Sequence, residues 1–389
     1  MKIDTSQLQT SNRLTLILIF LLVSACGAPS QQNSTSRHNH EALDQTKIGD
    51  PNPTQDDSDG TAQIPDDTDT STEPTPTPQQ TSDPVVDETV DLGQTPEEFS
   101  GSQSVETLAQ EWARRAPKII QFGVYGKAQG RDTFYIRLSK AVGTSGIVLP
   151  RSMITGATHG NETTSVDVLM RTIYQLAMQY AKDPVVTELI NTRDTYFVPV
   201  VCPDGYDNNS REVEGQDPNR SFPGPETPQA NSPQCISSII KLFNDIKFNA
   251  VLDYHGYAGV VMYPWSYIDQ PIETGDHDAR HRRLSKEMAD PMGYGYGQIP
   301  KIMYVAVGSS GDYWYWMGQQ KGYRTTSLAI ELATSNISQE TTENYKPIQI
   351  FMREAPVLLT AYGDKYATGP LPPDQGFGVN QTAEFITEE

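Results

Sequence analysis

Three cysteines among 389 residues are too few for a disulfide scaffold, and Cys26, Cys202 and Cys235 have the spacing of no zinc ribbon or finger. Positive charge is also scarce. The 29 Lys and Arg face 49 Asp and Glu, giving a net charge of −20 and a pI near 4.7, which argues against binding nucleic acid or an anionic membrane surface through a general positive field. The apolar run Leu14 to Val23 is ten residues long, half of the roughly 20 that a membrane-spanning helix needs. No internal repeat is visible. What is present, 36% hydrophobic and 20% charged residues over this length, suffices for one large domain or two ordinary ones and excludes a wholly disordered chain.

The first hundred residues divide by composition. Lys2 and Arg13 precede the apolar run and the small residues Ser24 and Ala25 follow it, the layout of a targeting signal. Val23-Ser24-Ala25-Cys26 resembles the lipobox of bacterial lipoprotein precursors, in which the cysteine is lipidated and becomes the first residue of the mature protein. The resemblance implies a signal peptide over 1–25, membrane attachment through lipid on Cys26, and an extracytoplasmic location. Gly27 is not the aspartate associated with inner-membrane retention, so an outer membrane, where one exists, is the default. The competing reading, a secretory signal with an incidental cysteine, also places the protein outside the cytoplasm. Residues 26–100 are rich in Pro, Thr, Ser, Gln and Asp, and sixteen acidic residues there face only Arg37 and Lys47. Such a segment buries too little to offset its ordering entropy and is expected to be a disordered tether. From Gly101 onward the net charge is only about −7, ordinary for a globular domain.

Periodicity then predicts a folded domain over 101–367 and a polar tail over 368–389. Val105, Leu108, Ala109 and Trp112 fall at helical spacing before Pro117. Strands are expected near 119–125 and 132–139, flanking a turn that contains Gly126, Gly130 and Arg131. A buried strand near 153–157 leads into a helix over 164–180, and further apolar runs lie at 196–201, 250–254 and 327–332. Alternation of strands and helices predicts an α/β fold with a mixed, largely parallel central sheet covered by helices on both faces.

Of the six histidines, His38 and His40 sit in the tether, and His277 and His281 in a polar, charged stretch. His159 and Glu162, three apart at a strand-to-helix junction, can face one cation together, although this spacing alone is common. His255 ends the run Ala250 to His255 at the carboxyl end of another strand, where open α/β sheets place ligands. Two His and one Glu leave a fourth zinc position open, the catalytic arrangement.

Further motifs follow in order: Pro203-Asp204-Gly205, Arg211, Asp217-Pro218-Asn219-Arg220, Leu252-Asp253-Tyr254-His255, Met262-Tyr263-Pro264-Trp265, Tyr304 with Gly308 to Asp312, and Ala329-Ile330-Glu331-Leu332. With His159-Gly160-Asn161-Glu162 they resemble the zinc carboxypeptidase family of the pancreatic type (M14-like metallocarboxypeptidases), over roughly Ser104 to Tyr362. The resemblance implies one zinc ion held by His159, Glu162 and His255, with Asp217 orienting His159. It implies that Asn219 and Arg220 clamp the free carboxylate of a peptide substrate, that Arg211 faces the scissile carbonyl, and that Tyr304 closes over the bound residue. Glu331 matches the carboxylate that takes a proton from an activated water and delivers one to the leaving amine. An unpaired Glu in an apolar strand is otherwise unexpected. For Asp217, Asn219 and Arg220 a turn with an ion pair is the competing reading, and for Tyr304, simple packing among the aromatics nearby.

Departures from the family pattern concern substrate detail. Pro218 removes an N–H, Ser221 stands where relatives often have Asn, and the stretch from Asp312 to Glu331 is longer than in the pancreatic enzymes. Cys202 stands where many relatives have Asn, and in an oxidising compartment a bridge to Cys235 is expected over two free thiols. Gly311, at the base of the side-chain pocket by resemblance, supplies neither floor nor charge, so large apolar ends are expected over Lys or Arg. The implied activity is removal of C-terminal residues from peptides. A cell-wall peptidase acting on peptidoglycan stem peptides uses the same chemistry, and a non-catalytic peptide-binding lipoprotein is the reading of a different class.

Overall fold

The computed structural model describes residues 89–96, 98–143, 148–228, 230–272, 275–357 and 370–377. The expected signal peptide, Cys26 and the tether up to residue 88 lie outside the described residues, as do 358–369 and 378–389 of the expected C-terminal region.

Eight strands form one mixed sheet: β1 (Ile120–Ala128), β2 (Arg131–Leu138), β3 (Arg151–Thr155), β4 (Asp194–Val198), β5 (Ala250–Gly256), β6 (Val260–Tyr263), β7 (Gly295–Gln298) and β8 (Thr326–Leu332). Their spatial order is β1-β2-β4-β3-β5-β8-β6-β7. The four central strands β4, β3, β5 and β8 are parallel, β1 and β2 extend the sheet antiparallel at one side, and β6 runs antiparallel to β8 at the other. Nine α-helices among the described residues are α1 (Ser102–Arg115), α2 (Thr164–Gln179), α3 (Pro184–Thr192), α4 (Pro203–Asp207), α5 (Gln234–Ile246), α6 (Gly275–Ala289), α7 (Ile299–Ile302), α8 (Ser310–Gln320) and α9 (Ile337–Glu354).

The period-two rule of strands divides the core between the sheet's two faces. Ile154, Phe197, Leu252 and Tyr254 join a cluster with Trp112, Val166, Leu169 and Phe351, whereas Met153, Tyr196, Val198 and Val251 join one with Ile236, Phe243 and Trp314. Central strands buried on both faces read as continuous apolar runs, which is why β3, β4, β5 and β8 are legible in the sequence. The fold is thus the expected α/β architecture.

Three local expectations are corrected. The hairpin between β1 and β2 turns on Gln129 and Gly130 alone, both at positive φ (47° and 82°), the backbone a two-residue turn requires. Gly126 lies inside β1 where the register shifts, and Arg131 is already the first residue of β2. The tether does not continue unstructured to residue 100, because Leu92 is only 3% exposed and Tyr174 donates to the Gly93 carbonyl at 2.8 Å. Nor does all of the expected polar tail lie off the domain. Gln375 bridges to Tyr296 of β7, Asp374 accepts from the Tyr263 hydroxyl at 2.7 Å and pairs with Lys301 at 3.2 Å, and Phe377 packs against the cluster of Met262, Ile299 and Ile302.

The site is positioned by a close backbone contact. Gly160 lies against Gly205, so a Cβ at 160 would sit 1.9 Å from the Gly205 carbonyl carbon and 2.3 Å from the Tyr206 nitrogen. Only glycine lets the segment after β3 pack on the turn after β4. Gly160→Ala is therefore expected to lower stability by about 1–3 kcal/mol, the usual scale of overpacking, measured as the urea midpoint. An unchanged midpoint would refute the contact.

Candidate metal centre and substrate cleft

His159 and Glu162 lie in the loop between β3 and α2, His255 is the penultimate residue of β5, and all three are at least 95% buried. Glu162 bridges the imidazoles: Oε1 is 2.8 Å from Nδ1 of His159 and Oε2 is 2.9 Å from Nδ1 of His255. The three donor atoms lie within 4.8 Å of one another, the one such group of His, Cys, Asp or Glu among the described residues. On the outer side, Nε2 of His159 is 3.0 Å from Asp217 Oδ1, and Nε2 of His255 is 3.0 Å from Asp253 Oδ2.

This pattern is a test of fit for a cation. Each imidazole donates its Nε2–H to an outer carboxylate, which leaves the Nδ1 lone pair aimed at Glu162. Lone pair against carboxylate is repulsive unless a positive charge lies between. With protons alone, both rings must be doubly protonated: burial opposes this, but Glu162 raises the pKa of His159, and Asp253 and Glu162 raise that of His255. Burial likewise opposes the Glu162 carboxylate, while the two imidazolium charges hold it down to about 2. A divalent cation does the work of both protons without charging either ring, and two nitrogens with one carboxylate are the donor set of a catalytic zinc site.

Arg211 donates to Asp217 Oδ2 through Nε at 3.1 Å and Nη2 at 2.9 Å, and its Nη1 is 3.7 Å from Glu162 Oε1. Against the cost of burial, the His159 hydrogen bond and the charges of His159 and Arg211 keep the Asp217 carboxyl well below its ordinary range. Asp217 also accepts from the Asn219 N–H at 2.8 Å, and Asn219 Nδ2 is 3.3 Å from His255 Nε2. Arg220 donates to the Asn219 carbonyl at 2.9 Å and to the Tyr304 hydroxyl at 3.2 Å, its guanidinium 5.7 Å from the centre of that half-exposed ring. The turn that carries Tyr304 abuts Arg220 through Gly308, whose φ is +73° and whose Cβ would lie 2.4 Å from the Arg220 carbonyl oxygen.

Asn219, Arg220, His255, Tyr304, Gly311 and Glu331 line one cleft, walled also by Met262, Ile299, Met303, Ala306 and Ala329. Glu331 is the register partner of His255 across the β5–β8 ladder. Burial and the negative charge of Glu162 push its carboxyl up to about 7. Cys202 and Cys235 are joined by a disulfide with Cα atoms 5.1 Å apart. His277 and His281 stay away from this centre: His281 accepts from the Ser327 N–H at 3.1 Å and donates to the His277 carbonyl at 2.7 Å, a satisfied structural imidazole.

Three contributors had no role assigned from sequence. Asp253 is 1% exposed and accepts from Thr155 at 2.6 Å, from Thr158 at 3.2 Å and from Ser310 as well as from His255. Its signal was the Asp-x-His alternation, which puts both side chains on one face of a strand. Ser310 ties Asp253 to Asn219, because its N–H donates to Asn219 Oδ1 at 2.8 Å. Asp312 is fully buried beneath the cleft and accepts from the Ser266 N–H at 2.7 Å and the Tyr267 N–H at 3.2 Å, with burial pushing its carboxyl up to about 7. Neither Ser310 nor Asp312 has a local sequence signal beyond the motif.

The zinc carboxypeptidase family model matches residues 105–351, and the chain belongs to that family. It is similar to mouse (Mus musculus) carboxypeptidase A2, 26% identical over 203 residues that cover 43% of this chain and 49% of that protein. Human (Homo sapiens) carboxypeptidase B is 25% identical over 267 residues, 58% of this chain and 62% of that one. The chain thus spans about half to three-fifths of the length of these relatives. Among solved structures, thrombin activatable fibrinolysis inhibitor aligns with a TM-score of 0.57 at 18% identity, over 67% of this chain and 77% of that one. Carboxypeptidase A from Helicoverpa armigera aligns at 0.56 and 20% identity, over 66% and 73%. These two likenesses establish the fold. The family is zinc-dependent, and the His159, Glu162 and His255 centre can hold one such ion.

Because Asp253 holds Nε2 of His255 and would leave Nδ1 to a bound ion, Asp253→Asn is expected to lower zinc affinity by about 10- to 100-fold in a chelator competition. Affinity equal to wild type would show that Asp253 does not orient the ligand.

Proposed function

We propose that the chain is a zinc-dependent carboxypeptidase that hydrolyses the C-terminal bond of peptides and proteins. The observation that carries this reading is the convergence, in one cleft, of His255 from the three-donor centre, Glu331 and Arg220. Zinc supplies Lewis acidity when bound and brings the pKa of water to near 7.

The chain's own residues do the rest. Arg220 presents a planar pair of donors to the terminal carboxylate, with Asn219 beside it, so only a chain end is held at a fixed distance from the scissile bond. Tyr304, half-exposed and hydrogen-bonded to Arg220, closes over the bound residue. Arg211, fixed by Asp217, faces the carbonyl oxygen as negative charge develops there, where one donor is typically worth about 3 kcal/mol. Glu331 takes the proton from the attacking water as the C–O bond forms. It returns that proton to the nitrogen as the C–N bond breaks, leaving a carboxylate and a free amine. A carboxyl raised to about 7 by burial and by Glu162 is suited to both transfers.

Glu331→Gln is expected to retain zinc and substrate affinity while turnover falls about 10²-fold or more. Near-normal turnover would end this assignment. The C-terminal preference follows from the cleft walls, which are largely apolar and contribute about 1.5–3 kcal/mol on burying a large apolar side chain. Phe, Tyr or Leu ends should be released faster than Lys or Arg in a series differing only at the last residue. Gly311→Asp, at a position where an added Cβ meets only the Ser327 hydroxyl at 3.9 Å, should move the preference toward basic ends. A tenfold advantage for Lys or Arg in the wild type would overturn the apolar assignment.

A further inference from the structure

A second cleft opens at the same end of the central strands and is lined by Glu98, Thr163, Thr164, Asp167, Tyr206 and Ser335 among others. It shares no lining residue with the first. The first is walled by His255 and Glu331, whereas the second begins at Thr163, bonded to the metal-site Glu162, and at Thr164, whose hydroxyl is 2.8 Å from the hydroxyl of Tyr257. The metal centre thus touches both, through His255 in the first and through Glu162, the chain neighbour of Thr163, at the second. A peptide that ran from the first cleft across the metal centre would bring residues ahead of its scissile bond toward the second.

The chemistry of the second cleft is one-sided. No Lys or Arg lines it, and its three acids differ in state. Asp207 is already engaged, by the N–H and hydroxyl of Ser102 and by Arg131. Glu98 is exposed at the rim. Asp167, in the first turn of α2, is 95% buried, yet its Oδ1 has no hydrogen-bond partner. A buried carboxyl oxygen left unpaired is costly, and a small turn of this side chain toward the cleft it lines would let an incoming donor satisfy it. Burial and the charge of Glu98 raise its pKa while Arg171, one turn along α2, lowers it, and the net result is a carboxyl near 6 that is ionised at neutral pH. A metal ion is the poorer match, because these acids do not form a group of three donors within 4.8 Å. An elongated organic cation, which carries several N–H donors on a flexible stem, suits separated acceptors.

We propose that this cleft is a subsite for a cationic side chain, lysine or arginine, on the amino-terminal side of the scissile bond, with Asp167 as its deep acceptor and Glu98 at the rim. The proposal rests on the carboxypeptidase reading and narrows its substrates to peptides that are basic ahead of an apolar end.

The test uses phenylalanine-ended peptides with Lys, Ala or Glu at each of the three positions before the scissile bond. Lys at one position should raise kcat/KM over Ala by about tenfold, the scale of a charge-assisted hydrogen bond, and Glu there should lower it. Asp167→Asn should erase the Lys-to-Ala ratio. Equal rates for Lys, Ala and Glu at all three positions would overturn the subsite and leave the carboxypeptidase reading intact. Calorimetric affinities of the same peptides for the Glu331→Gln protein do not depend on turnover. Equal affinity for Lys and Ala peptides would overturn the subsite even if no peptide were hydrolysed, the result that would instead defeat the enzymatic reading. Calcium that raises the Tm of wild type but not of Asp167→Asn, without any lysine preference, would make the cleft a metal site and also overturn the proposal.

Discussion

Two buried imidazoles, each held on its outer nitrogen by a carboxylate, must turn their inner nitrogens toward a third carboxylate, and this arrangement organises the protein around it. It fixes where β3 and β5 end, because His159 and His255 must emerge side by side. It requires Asp217 to be delivered by a loop and Asp253 by the strand itself. It makes Gly160 obligatory, since the His159 loop reaches position only by resting on the backbone of Gly205. Concentrated negative charge of this kind is unfavourable in a buried setting unless positive charge is supplied, so the protein's stability and its metal are linked.

The substrate cleft borrows its order from the same arrangement. Ser310 touches both Asp253 and Asn219, so the first residue of α8 is tied to the orienting partner of a metal ligand and to the neighbour of Arg220. Asp312, two residues further on in the same turn, anchors α8 to the loop at Ser266 and Tyr267. A change in the pocket floor therefore acts on a helix whose start is already constrained from two sides.

Much of the fold was legible because the central strands are buried on both faces and read as unbroken apolar runs. The outer parts were less so. β6 and β7 are four residues each, too short for periodicity to register, and the packing of 370–377 depends on contacts of Asp374, Gln375 and Phe377 with residues more than 70 positions away in the sequence. In the site, His159, Glu162, His255 and Glu331 stood out as polar residues at strand ends or in an apolar strand. Asp253 sat inside a quoted motif without a role, although its alternation with His255 in β5 puts both side chains on one face and was the signal that could have found it. Asp167 was hidden in an amphipathic helix, where an acid in the first turn is ordinary. Its lack of a partner is a three-dimensional fact.

The disulfide between Cys202 and Cys235 has a consequence for the unfolded chain. Its 33-residue ring encloses Arg211, Asp217, Asn219 and Arg220, a stretch with no strand of its own beyond an isolated bridge. An open loop of that length loses much configurational freedom when its side chains are set to hydrogen-bonding accuracy. Closing the ring in the denatured ensemble removes about 3–4 kcal/mol of that cost in the chain-entropy description. The arginines thus begin the search for their native positions from a tethered loop rather than a free one, and the covalent link acts as preorganisation of the binding surface.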